Sequence, residues 1–131
     1  MEAAPALTAV LVDSDVVTEV LRHRNPELAA RWRAVGYGGA EIYSSPVTYA
    51  EIWRGIREGE QDQVESLFAE MTCLPIDAKV GRKAGEYLRR YQASHGLQFG
   101  DALIAATAAV HQVPLWTRNR KHYPMKDVRL V

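Results

Sequence analysis

The sequence predicts an α/β domain in which a parallel β-sheet carries helices on its faces. Two observations lead to this prediction. Apolar runs of strand length alternate with longer helical stretches along the chain. The first run, residues 8–12, is apolar at consecutive positions, which is typical of a strand buried on both faces of a parallel sheet. With 131 residues, the chain is long enough for one domain, residues 1–131, with a core of its own.

Capping residues, prolines and glycines mark where the predicted helices begin and end. Asn25-Pro26 and Ser45-Pro46 each pair a capping side chain with a proline at the first helical position. Glycines follow several of the helical stretches, because glycine ends a helix at little conformational cost. The predicted helices span residues 15–22, 25–35, 45–57, 61–71, 78–94 and 100–111.

Short apolar runs between these helices predict the remaining strands. Pro114 precedes one of them, and Asp77 is placed to cap the helix that follows another. After the first strand, the predicted strands are residues 41–43, 73–76, 115–117 and 128–131.

Composition and charge exclude several classes of protein. Sixteen basic and sixteen acidic side chains give no net charge, so any contact with nucleic acid must depend on local patches. The single cysteine, Cys73, excludes an internal disulfide and a multi-cysteine zinc site, and we expect it to be a small buried residue in a reducing cytosol. The apolar run at residues 6–12 is too short for a signal peptide or a membrane span. We therefore expect a soluble, cytoplasmic protein.

Oxygen-bearing side chains follow several of the apolar runs. Asp13 comes directly after residues 8–12, Glu51 lies about a turn into the helix after the second strand, and Asp101 follows the run at residues 97–99. Asn119 comes just after the run at residues 115–117, and Asp15 lies two residues beyond Asp13. Because ligands bind outside the carboxyl ends of the strands in open α/β sheets, these side chains are expected to converge. Oxygen ligands without clustered His or Cys indicate Mg²⁺ or Mn²⁺.

Each of these residues also has a simpler explanation. Asp13 could end a strand, and Asp15 and Asp101 could stabilise the first turns of their helices. Glu51 could pair with Arg54 three residues later, and Asn119 could be a turn residue. Their shared position relative to the sheet, rather than any one of them, favours a metal site.

Four segments resemble the motifs of PIN domains in order and spacing, and most closely those of VapC-like toxins of bacterial type II toxin–antitoxin systems. They are residues 11–17 (LVDSDVV), 45–55 (SPVTYAEIWRG), 100–108 (GDALIAATA) and 117–123 (TRNRKHY). The resemblance covers nearly the whole chain, and it implies a three-layer α/β/α fold with a central parallel sheet of four to five strands.

The resemblance also implies a metal-dependent endoribonuclease that uses Mg²⁺, with Mn²⁺ as an alternative. At the matching positions, Asp13, Glu51 and Asp101 would be acidic metal ligands, with Asn119 where relatives carry Asp or Asn. Asp15 would be an additional acid near the ion. The asparagine at 119 removes one negative charge, which leaves the number of metal ions open.

A bound divalent ion would activate a water molecule for attack on the phosphate, which would leave 5′-phosphate and 3′-hydroxyl ends. The resemblance implies single-stranded regions of transfer or ribosomal RNA as substrate, a cognate antitoxin, a homodimer and a larger assembly with the antitoxin. Trp53 and Ile56 are expected to line a groove for the antitoxin. The basic cluster expected to hold the RNA backbone is Arg118, Arg120, Lys121 and His122.

Two other functions remain open from the sequence. Asp13 and Asp15 after an apolar strand also resemble the start of a haloacid dehalogenase-like phosphatase, with Asp13 as nucleophile. Against this, the chain is short for a cap domain, and Asp101 is followed by apolar residues. The third hypothesis is a PIN-like module that binds RNA or protein without cutting, and it is suggested by the neutral side chain of Asn119.

Overall fold

The computed structural model describes residues 7–131; residues 1–6 of the predicted domain lie outside the described part. The strands are β1 (Ala9–Val12), β2 (Glu41–Ser44), β3 (Thr72–Cys73) and β4 (Leu115–Trp116). The helices are α1 (Ser14–Arg22), α2 (Pro26–Tyr37), α3 (Pro46–Arg54), α4 (Gln61–Ala69), α5 (Ala78–His95) and α6 (Phe99–His111), followed by a 3₁₀ turn at Arg120–His122. The predicted α/β class is confirmed.

The strands form one parallel sheet in the order β3-β2-β1-β4. In the centre, Val10 lies opposite Ile42 and Leu11 lies opposite Leu115. The strand predicted at residues 128–131 is reduced to a single parallel bridge between Leu115 and Leu130. Because β4 is only two residues long, it offers the C-terminal segment too few backbone groups for a longer ladder.

Alternation along β1 divides the core into two halves. Leu11 faces a cluster built largely from α5 and α6, whereas Val10 and Val12 face a cluster that contains residues of α1, α2, α3 and α4. All three side chains have no exposed surface. The sheet is therefore covered on both faces, as a parallel sheet requires.

Local capping explains where α2 and α3 begin. The Asn25 side chain accepts a hydrogen bond from the Leu28 amide at 3.0 Å, and the Ser45 hydroxyl accepts one from the Thr48 amide at 3.4 Å. Proline is the first helical residue in both cases, as predicted. Helix α3 ends at Arg54 rather than 57, and α4 ends at Ala69 rather than 71.

Two predictions about local structure were wrong. The strand predicted at residues 73–76 is the two-residue edge strand β3, and Cys73 is exposed on it rather than buried. Residues 97–99 form the connection between α5 and α6 and the first residue of α6, so Asp101 lies in the first turn of a helix, as predicted. Gly96 makes this connection possible with a φ of +62°, a conformation that favours glycine. In the described part of the chain, none of the helices has the length and apolar character to span a membrane.

Candidate active site

Asp13 lies at the carboxyl end of β1 and caps α1. Its Oδ1 accepts a hydrogen bond from the Ser14 amide at 2.7 Å. Its Oδ2 accepts hydrogen bonds from the Thr117 hydroxyl at 2.9 Å and from the Tyr123 hydroxyl at 2.7 Å. Only 5% of the residue is exposed, so these three donors replace the water that a free carboxylate would bind.

Glu51 reaches the same edge of the sheet from α3. The Ser14 hydroxyl donates to Glu51 Oε1 at 3.1 Å and also lies 3.1 Å from the Thr48 hydroxyl. Burial raises the pKa of Glu51, and the charges of Asp13 and Asp101 raise it further. Ser14 and the nearby positive charge of Arg54 lower the pKa, but they do not outweigh the first effects.

Asp101 comes from the first turn of α6, where Gly100 allows close packing against α3. A Cβ atom at Gly100 would lie 3.3 Å from Val47 Cγ1 and 3.6 Å from Glu51 Oε1. Asp101 Oδ2 lies 3.4 Å from His122 Nδ1, and its Oδ1 lies 3.4 Å from the Tyr123 hydroxyl. Burial and the charge of Asp13 raise the pKa of Asp101, while His122 and Tyr123 act in the opposite direction.

Asp15 borders this group at the start of α1. Its Oδ2 accepts a hydrogen bond from the Arg118 amide at 3.0 Å. Its Oδ1 is buried and has no hydrogen-bond partner among residues 7–131. Burial, followed by the charge of Asp13, raises the pKa of Asp15 to about 6. Asp15 is therefore an acid held in an unfavourable ionised state, which a bound cation would relieve.

Tyr123, like Ser14 and Thr117, is a residue of this site that the sequence analysis did not single out. It is 4% exposed, and its hydroxyl joins Asp13 to Asp101. Burial and the surrounding carboxylates raise the pKa of Tyr123, so the phenol stays protonated and donates. A buried tyrosine hydroxyl usually finds a hydrogen-bond partner, and Tyr123 at the end of the 117–123 motif was the available signal.

The other predicted residues are placed less centrally. Asn119 is exposed, and its backbone amide donates to the Thr117 hydroxyl at 3.0 Å, while its side chain makes no capping hydrogen bond. Arg118 lies 3.3 Å from Glu19, and Arg120 and Lys121 are exposed beside His122. Trp53 and Ile56 are partly buried against the core cluster on the α1–α4 face.

The carboxylates of this site are the type of ligand that a hard cation prefers, but their side chains are not arranged as a complete coordination site. All of the gathered carboxylates offer oxygen, and three of them have raised pKa values. Within residues 7–131, no three His, Cys, Asp or Glu side chains are arranged to hold a metal ion. The Tyr123 hydroxyl links Asp13 to Asp101 instead, while the hydroxyls of Thr117 and Ser14 each bind one carboxylate, Asp13 and Glu51 respectively.

The geometry disfavours the phosphatase hypothesis. Both carboxylate oxygens of Asp13 already accept hydrogen bonds, and the side chain is almost fully buried. Direct attack on a phosphate needs an oxygen that the substrate can reach, whereas a metal ion can share the lone pair that Oδ1 of Asp13 keeps.

Comparison with protein families decides the classification. Residues 10–128 match the family model of the PIN domain. The chain belongs to the PIN-domain family. Ribonuclease VapC10 of Mycobacterium tuberculosis is 38% identical to this PIN domain over 118 residues, which are 88% of this chain and 86% of that protein.

Solved structures show the same fold at lower sequence identity. The structure of VapBC2 from Rickettsia felis bound to a promoter DNA fragment superimposes with a TM-score of 0.78 at 18% identity, over 94% of this chain and 97% of that one. A toxin–antitoxin complex from Klebsiella pneumoniae superimposes with a TM-score of 0.70 at 20% identity, over 91% and 94% of the two chains. The predicted PIN-like fold is therefore confirmed.

Proposed function

We propose that this PIN domain is a metal-dependent endoribonuclease and the toxin of a toxin–antitoxin pair. One observation carries the proposal. Asp13, Glu51 and Asp101 come from distant parts of the chain and meet at the carboxyl edge of the sheet. The Tyr123 hydroxyl contacts Asp13 and Asp101, and Ser14 contacts Asp13 through its amide and Glu51 through its hydroxyl. The 38% identity to a protein named a ribonuclease supports RNA as the substrate.

The proposed cofactor is Mg²⁺, with Mn²⁺ as the alternative, because all the donors are oxygens. Asp13, Glu51 and Asp101 would hold the ion, with Asn119 as a neutral oxygen donor and Asp15 close by. When bound, such an ion lowers the pKa of a coordinated water and stabilises charge on the phosphate.

The chain's own residues would orient the reacting groups. Tyr123 and Thr117 fix Asp13, and Ser14 fixes Glu51, so two of the acids cannot rotate freely. Asp101 or Asp15, whose raised pKa values make them better proton acceptors than ordinary carboxylates, would take the proton of the attacking water. Because the ribose 2′-hydroxyl is not the nucleophile in this scheme, the products carry 5′-phosphate and 3′-hydroxyl ends.

The proposed substrate is a single-stranded region of transfer or ribosomal RNA, whose unpaired bases can be splayed into a site. Arg118, Arg120, Lys121 and His122 would contact its backbone near the acids. The proposed partners are a cognate antitoxin, which would contact Trp53 and Ile56, and a second copy of the chain in a homodimer. The proposed location is the cytoplasm.

Expression of the protein without an antitoxin tests the proposal. Growth should stop, and sequencing of RNA 5′ ends should reveal new monophosphorylated ends at defined positions. Asp13→Asn, Glu51→Gln and Asp101→Asn should each restore growth, while Asp62→Asn, an acid on α4 outside the site, should not.

Purified protein gives the complementary measurement. RNA should be cut in the presence of Mn²⁺ and remain intact when the ion is chelated. If all three substituted proteins stay as toxic as the parent, the catalytic assignment is wrong. RNA that stays intact with Mn²⁺ would instead favour a binding module.

A further inference from the structure

The chain is neutral overall, but its charges are separated along the sequence. Residues 58–77 contain six Asp or Glu and no Lys or Arg. Helix α5 contains five Lys or Arg and one acid, Glu86. Residues 118–129 also contain five Lys or Arg and one acid, Asp127. The zero net charge therefore hides two strongly basic segments.

The fold places the acidic and basic segments on opposite faces of the sheet. Val64 and Phe68 of α4, in the acidic segment, pack into the cluster that contains Val10 and Val12. Val80 of α5 packs into the cluster that contains Leu11. The two faces of the domain thus differ in the sign of their charge.

The outer side of α5 is exposed and basic. Val80, Ala84 and Tyr87 point into the core, so Lys79, Arg82, Arg89 and Arg90 remain exposed. Among residues 7–131, Lys79, Arg89 and Arg90 have no acidic partner within salt-bridge distance. The name α5 basic face is used below for the exposed residues Lys79, Arg82, Arg89, Arg90 and Lys126.

The C-terminal segment is attached to this face. Lys83 lies 2.7 Å from Asp127 Oδ2, and the Tyr87 hydroxyl donates to Asp127 Oδ1 at 2.6 Å. A cleft of about 240 Å³ runs between α5 and this segment, with Arg90 and Lys126 among its lining residues. The basic groups of the two segments therefore form one surface.

Two segments of the chain lead from this surface to the acidic site: the connection between α5 and α6, and the C-terminal segment. Helix α5 ends at His95, and α6, which carries Asp101, begins four residues later at Phe99. On the C-terminal segment, Asp127 follows Tyr123 by four residues, and Tyr123 contacts Asp13. A strand of nucleic acid leaving the site can therefore continue onto the α5 basic face past two acids, Glu86 and Asp127, which lie within salt-bridge distance of Arg82 and Lys83.

We propose that the α5 basic face binds the phosphate backbone of the RNA substrate beyond the cleavage site, an inference that rests on the proposed function. Exposed arginines suit this role, because the guanidinium group matches the geometry of a phosphate and its contacts do not depend on the base sequence of the RNA. A second copy is a poorer occupant, since a twofold interface would place this face against the same cluster of positive charges.

Fluorescence anisotropy of a labelled single-stranded oligouridylate tests the proposal, with EDTA present so that no cleavage occurs. The test variant is Arg89→Gln/Arg90→Gln. Arg33→Gln/Arg57→Gln is the matched control, because it removes the same charge from exposed residues outside α5. Arg89→Lys/Arg90→Lys keeps the charge and should restore binding.

Loss of two phosphate contacts should lower the slope of log K against log salt by about 1.4 and weaken binding about 25-fold at about 0.1 M salt. The control variant should bind like the parent. If the test and control variants bind equally well, the α5 basic face does not hold RNA, while cleavage by the parent with Mn²⁺ would leave the proposed function intact. A parent that neither binds nor cuts RNA would overturn both proposals.

Discussion

Asp15→Asn should stabilise the metal-free protein at neutral pH, because Asp15 is ionised there against the preference of its surroundings. Burial and the charge of Asp13 raise its pKa from 3.8 to about 6, and its Oδ1 lacks a partner among residues 7–131. Asparagine keeps an oxygen to accept the hydrogen bond from the Arg118 amide, which Asp15 accepts at 3.0 Å. The substitution therefore removes the charge and retains the contact.

The magnitude follows from the two pKa values. Because its pKa is raised in the folded state, Asp15 contributes stability only while it is protonated, at low pH. This contribution is lost between about pH 4, where Asp15 ionises in the unfolded chain, and about pH 6, where it ionises in the folded protein. The full difference between the folded and unfolded pKa values of Asp15 corresponds to about 3 kcal/mol of stability. Because Asp15 is only half-buried, solvent screening reduces the expected effect to about 1–2 kcal/mol.

Urea denaturation in EDTA at about pH 4.5 and about pH 7.5 measures this effect. Asp15→Asn should exceed the parent's free energy of unfolding by about a third of the full effect at the lower pH, which already lies above the unfolded-state pKa of 3.8, and by the full effect at the higher pH. Asp62→Asn is the matched control, because Asp62 also lies in the first turn of a helix but is exposed. A difference between Asp15→Asn and the parent that does not change with pH would refute the electrostatic reasoning.

Three further predictions concern the contacts of the site and the core. Tyr123→Phe removes a buried donor to Asp13 but keeps the ring, so the free energy of unfolding in urea should fall by about 1.5–3 kcal/mol. Addition of Mn²⁺ at about 100 times its Kd should stabilise the parent by about 2.7 kcal/mol in thermal unfolding, and it should stabilise Glu51→Gln much less. Ile104→Ala should cost about 2–5 kcal/mol in the same assay, because Ile104 has no exposed surface and the change leaves a cavity; a smaller loss would show that α6 relaxes into the space.

The regular parts of the fold could be predicted from the sequence because their signals are local. The caps at Asn25 and Ser45 act within three residues, and the apolar run of β1 reports burial on both faces wherever its neighbours come from. The short strands carry no such signal. Whether residues 73–76 or 128–131 form a ladder depends on how many backbone groups β2 and β4 present to them, and that is a tertiary property.

The site divides in the same way. The meeting of Asp13 and Glu51 follows from parallel topology, which brings the ends of β1 and β2 to one edge of the sheet. The hydrogen bonds of the Thr117 and Tyr123 hydroxyls to Asp13 could not be predicted, because these residues lie 104 and 110 positions from Asp13 and the direction of their side chains depends on the path of the C-terminal segment. The roles of the acids in metal binding and catalysis stay predictions.

The electrostatics of the site and the charge separation of the domain together indicate how a polyanion can approach clustered carboxylates. Acids with raised pKa values repel phosphate as well as one another, so they cannot attract RNA themselves. The attraction must come from groups beside the pocket, which are Arg54 on α3 and the more numerous exposed cations of α5 and of residues 118–129. The acidic segment on the other face would repel the same backbone. Although the chain is neutral overall, its local charges thus favour the approach of RNA from the α5 side. The salt dependence of RNA binding is the measurable consequence.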